Sequence, residues 1–109
     1  MLNNILSVGF SILIAFQGLE GFSVVDYDQY MHTWDENIVL AKEYLREAEK
    51  SLNNGDALDS CVNQRKASEY GLIATEARIS AAEIKAENDI IPNLQDGLKK
   101  WKAFGDFCS

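Results

Sequence analysis

A chain of 109 residues is enough for one small core, which excludes a two-domain enzyme with a cleft between its lobes. With 47% apolar and 25% charged residues and a single Pro, the composition is that of an ordinary globular protein rather than a disordered or collagen-like one. Ten Lys+Arg against 17 Asp+Glu give a net charge of −7, which repels phosphate backbones and makes nucleic acid an unsuitable partner.

Residues 1 to 19 contain no charged side chain, and the first basic residue is Lys42. Within this segment, Ile5 to Phe16 (ILSVGFSILIAF) has the length of a secretory h-region and falls short of the ~20 residues that cross ~30 Å of hydrocarbon. Gly21 and Ser23 fit a small-x-small cleavage site, so residues 1–23 are expected to be a signal peptide and residues 24–109 a helical domain. The n-region lacks Lys and Arg, and the α-amino group must supply its positive charge. The alternative is an uncleaved membrane anchor, because Met1 to Leu19 would span ~28 Å as a helix. Export places the domain in a secreted or periplasmic setting; retention places it on the non-cytoplasmic side of a membrane.

From Val24 to Thr33 the chain (VVDYDQYMHT) shows no clear period and is expected to be an ordered lead-in or loop. Thr33 with Glu36 forms a capping box and predicts a helix start, followed by Ile38, Ala41, Leu45, Ala48 and Leu52 at helical spacing. Asn53-Asn54-Gly55 supplies a left-handed stop. Asp56 caps a second helix that meets no Pro before about Asn88, with Gly71 its one weak point. Its apolar positions are Leu58, Cys61, Val62, Leu72, Ile73, Ala77, Ile79 and Ile84, with enough further Ala to let a partner helix approach closely. Asn88 to Pro92 reads as a turn, and Ile91, Leu94, Leu98, Trp101 and Gly105 as the seam of a third helix. The fold class is therefore all-α, a small antiparallel three-helix bundle with a long central helix.

Cys61 and Cys108 suit an oxidising compartment and are too far apart for a CxxC motif, so one disulfide is expected. If helix three runs back along helix two from Pro92, Phe104 falls beside Ala77, ~24 Å short of Cys61. An extended tail recovers ~13 Å of this. A bend near Gly71, an oblique crossing or a disulfide-linked homodimer would close the rest, and the bend is preferred.

Asp26, Tyr27, Asp28, Tyr30, Met31, His32, Trp34 and Asp35 form an acidic, aromatic cluster around the only His. A metal reading from Asp26, Asp28 and His32 matches neither an EF-hand nor a zinc spacing. Tyr27, Tyr30 and Trp34 can instead close one end of the bundle while the acids face water. Tyr27, Tyr30, His32 and Trp34 are the binding candidates, because Tyr and Trp dominate protein–protein hot spots. No nucleophile triad, Gly-rich phosphate loop, HExxH or CxxCH occurs, and Glu43/Glu47, Glu69/Glu76 and Glu83/Glu87 read as solvated helix faces rather than as an acid/base pair. No catalytic activity, metal or cofactor is expected.

The tail Trp101 to Cys108 (WKAFGDFC) resembles the Trp-x-x-Phe-Arg-Asp-x-x-Cys ending of small periplasmic lysozyme inhibitors with helical folds. The likeness covers Trp101, Phe104 and Asp106. Gly105 stands where that ending has Arg and Cys108 comes one residue early, so no function is carried over. The sequence reading is an exported, non-catalytic protein-binding module, or failing that a small anchored subunit of a membrane complex. Since only Glu20 among the charged residues precedes residue 24, the domain itself is acidic, and a protein partner steered by charge should be basic.

Overall fold

The computed structural model describes the backbone of residues 16–108 and the side chains of residues 26–108. The first 15 residues of the expected leader or anchor lie outside the described residues. Three helices make up the described chain: α1 (Phe16–Asn53), α2 (Ala57–Ile84) and α3 (Ile91–Asp106). They form a small three-helix bundle with no strand among the described residues. The longest helix is α1, with 38 residues, rather than the central one; at ~1.5 Å per residue it accounts for the 57 Å long axis of a body measuring 57 × 27 × 20 Å.

The lead-in and capping box expected before residue 34 do not form. The helix passes straight through Val24 to Thr33, so the Glu36 N–H already has an intrahelical acceptor and Thr33 has nothing to cap. Its hydroxyl donates instead to the Gln29 carbonyl one turn back, at 3.1 Å. The other predicted stops are present. Gly55 takes φ +81°, and the N–H groups of Gly55 and Asp56 reach back to the Leu52 and Ser51 carbonyls, a Schellman ending. The Asp56 carboxylate then accepts from Asp59 N–H at 3.0 Å and starts α2.

The central helix is α2, with α1 and α3 packed on it and not on each other. Among the described residues, the buried apolar set is entirely alanine: Ala41 and Ala48 on α1, and Ala67, Ala74, Ala77, Ala81 and Ala82 on α2. Ser51, Ser60, Ser68, Gly71 and Thr75 complete it. Small residues let helix backbones approach closely, and the Ser60 hydroxyl uses that proximity to donate to the Ala48 carbonyl at 2.7 Å. The expected apolar seam is correct at Ala41 and Ala48 but shifts at its end. Ser51, bonded to the Asp59 carboxylate, is buried, and Leu52 is 61% exposed.

The end of α2 sets the geometry of α3. Helix α2 stops at Ile84, four residues short of the expected Asn88, because Ala86 adopts φ +53°. The N–H groups of Ala86 and Glu87 return to the Glu83 and Ala82 carbonyls, the same Schellman pattern as at Gly55. Glu87 folds back onto Arg78 with a 3.1 Å ion pair whose side chains are only 17% and 34% exposed, so the link runs back down α2 before α3 begins. Phe104 therefore lies beside Gln64, whose amide donates to its carbonyl at 2.9 Å, and not beside Ala77. That displacement, ~20 Å along α2, brings Cys108 to Cys61 with their Cα atoms 5.5 Å apart. Register closes the intrachain disulfide, and α2 continues as helix through Gly71. Gly71 instead receives the flat face of Trp101: a Cβ there would collide with the indole ring.

Candidate functional site

Helical periodicity separates the four sequence candidates. Tyr27, Tyr30 and Trp34 fall at i, i+3 and i+7 on one side of α1, whereas His32 projects from the other side. Tyr27 lies under Lys85, whose ammonium is 4.1 Å from the ring centroid, just beyond the end of α2. This contact closes the end of the α1/α2 pair, and the part of α1 before Tyr27 extends past α2. Trp34 is half-buried and Tyr30 lies at the solvent edge. His32 is exposed, with Nε2 3.2 Å from a Glu36 carboxylate oxygen one turn on. No group of three or more His, Cys, Asp or Glu side chains placed to hold a metal occurs among the described residues.

The more concave feature was not singled out from the sequence. Because α1 and α3 flank α2 without meeting, a trough opens between them. Its upper part, of about 370 Å³, is lined by Leu45 of α1 and by Gly97, Lys100, Trp101 and Phe104 of α3. Leu45 and Phe104 also belong to a second hollow of about 340 Å³ that continues past Ala48, Glu49 and Leu52, with Ser60 and Gln64 of α2 as its floor. The two hollows share Leu45 and Phe104 and together line the trough. Trp101 and Phe104 meet edge to face in its wall, with ring centroids 6.3 Å apart and planes at 76°.

Each wall is held by specific packing. Trp101 is fixed by its seat on Gly71 and by its carbonyl, which accepts from the Ser68 hydroxyl at 2.7 Å. Gly105 lies so close to Ser68 that a Cβ would come within 2.7 Å of the serine Cβ. An Arg at that position, as in the periplasmic-inhibitor ending, would not fit this register. Gly97 differs from both, since a Cβ there would meet nothing within 4 Å. The spacing of Trp101 and Phe104 marked a helix seam in the sequence, but their part in an open wall follows only from the gap between α1 and α3.

The chain matches no family model, none of the curated proteins and no solved structure. No described helix is long and apolar enough to cross a membrane.

Proposed function

We propose that the chain is an exported, non-catalytic helical protein-binding module that acts by surface contact, as an inhibitor, effector or accessory factor. The observation that carries this reading is the distribution of large apolar side chains. None is fully buried among the described residues, while Leu45, Trp101 and Phe104 line an open trough. Partly covered aromatic residues on rigid helices are the residue type and setting from which binding energy is drawn when a partner removes the remaining water. Tyr27, Tyr30 and Trp34 extend that surface along α1, with His32 at its acidic back. The Cys61–Cys108 disulfide suits an oxidising compartment.

Purification of the tagged full chain from its natural source, followed by size-exclusion chromatography with light scattering, tests this reading. A stoichiometric complex with a second protein is expected. A chain recovered only as a free monomer, together with turnover of any small-molecule substrate, would sink it.

A second reading is supported by the continuity of α1, which runs unbroken from Phe16 through Ser23 into the domain. An uncleaved helix of this kind would make the chain a small structural subunit anchored by residues 1–19. N-terminal sequencing separates the two: a mature start near Val24 excludes the anchor, and an intact Met1 excludes the cleaved form.

A further inference from the structure

The trough between α1 and α3 is the strongest unexplained feature of the molecule, and three observations narrow what it holds. Its shape is that of a missing fourth helix, since α1 and α3, which run in the same direction because each is antiparallel to α2, flank it and α2 closes its floor at Ser60 and Gln64. Gly97 sits in its wall. Gly71 and Gly105 are each required by a close contact within the chain, but Gly97 faces open space, although Gly in a helix interior is about 1 kcal/mol less favourable than Ala. A bare backbone at that point lets another backbone come close. The third observation is charge. Lys100 on the α3 wall is tied to Asp96 at 3.1 Å, whereas Glu49 on the α1 wall has no ion-pair partner among the described residues. A second copy of the chain, itself at −7, is electrostatically the wrong occupant.

We infer that the trough seats one basic amphipathic helix of a protein partner. Its apolar residues at i, i+4 and i+7 lie against Leu45, Trp101 and Phe104, its backbone passes over Gly97, and a Lys or Arg reaches Glu49. This rests on the protein-binding reading above and specifies its site and the chemistry of its partner.

The test uses the full disulfide-bonded chain and a stapled 15-residue helix of Leu and Lys, with the matching Leu and Glu helix as control, followed by calorimetry. The Leu/Lys helix is expected to bind at one to one and the Leu/Glu helix at least tenfold more weakly. Gly97→Leu fills the trough without a clash inside the chain and should weaken binding at least tenfold. Glu49→Lys should weaken it more than Glu36→Lys, which makes the same charge change on the exposed side of α1. Absence of binding by the Leu/Lys helix, equal binding of the two helices, or wild-type affinity in Gly97→Leu overturns the proposal. So does a concentration-dependent dimer abolished by Gly97→Leu, which would make a second copy the occupant. A natural partner held equally well by wild type and Gly97→Leu would overturn the trough as its site and leave the protein-binding reading standing.

Discussion

The two hairpins that share α2 are built on different physical terms. In the α1/α2 hairpin the turn uses Gly55 where a left-handed residue is needed, Asp56 caps the outgoing helix, and the seam is a run of buried Ala and Ser from both sides. In the α2/α3 hairpin the same turn geometry is imposed on Ala86, the cap position of α3 is Ile90 with no side-chain hydrogen bond, and no residue of α3 is buried. Burial distributes stability over many contacts of the first hairpin. The second is held at discrete points: the Arg78–Glu87 pair, Trp101 on Gly71, Gly105 on Ser68, the Ser68 and Gln64 hydrogen bonds to the Trp101 and Phe104 carbonyls, and the Cys61–Cys108 bridge. A helix pinned at a few points can present half-covered side chains to a partner, whereas one sunk in a core cannot.

That contrast can be broken at its strongest pin first. With a sequence separation of 47 between the cysteines, removal of the bridge by Cys61→Ser with Cys108→Ser should lower stability by about 4 kcal/mol in the chain-entropy description. Urea unfolding gives the magnitude. Hydrogen exchange should show α3 amides losing protection before those of α1 and α2; uniform loss across all three helices would mean that the hairpins are not distinct. Next comes Gly71→Ala, which forces a methyl into the Trp101 ring and should cost about 2 kcal/mol despite the better helix propensity of Ala. A neutral or stabilising result would show that Trp101 is not pinned.

Smaller effects sharpen the comparison. Ser60→Ala removes a buried hydroxyl that bonds the Ala48 carbonyl and should cost about 1 kcal/mol, read by thermal melting. The two turns should respond with opposite sign to exchange of their left-handed residues. Ala86→Gly relieves a strained backbone and should stabilise by up to about 1 kcal/mol, whereas Gly55→Ala introduces that strain and should destabilise by a similar amount. Equal signs in denaturant titrations would refute the shared turn geometry.

The α1/α2 turn was readable because its chemistry is written in residue types: Asn53-Asn54-Gly55 for the stop and Asp56 for the start. The end of α2 was not, because Ala86 is a helix former, and its left-handed turn is held by the returning bonds to the Glu83 and Ala82 carbonyls and by the Glu87–Arg78 pair. The same limit applied at Thr33. A capping box is a local pattern, and it lost to a helix already propagating from upstream. Helical period correctly placed Ala41, Ala48 and Trp101 on seams, but it ranked Leu58, Val62 and Ile73 as core positions when they are exposed. A helix clamped between two others admits small side chains at close approach and pushes large ones to its edges. Of the candidate site, Tyr27, Tyr30 and Trp34 share a face that spacing alone predicts, and His32 leaves it for the same reason.

By itself, the sequence determined the all-helical class, the number of helices, the first turn, the acidity of the domain and the availability of two cysteines for one bond. These follow from local propensity, composition and charge, which act within a few residues or over the whole chain at once. The tertiary structure alone decided the register of α3 against α2, and with it the disulfide, the seat of Trp101 and the open trough. Register depends on where one left-handed residue ends a helix and on which surfaces fit once it has, and neither is encoded in the period of any single helix.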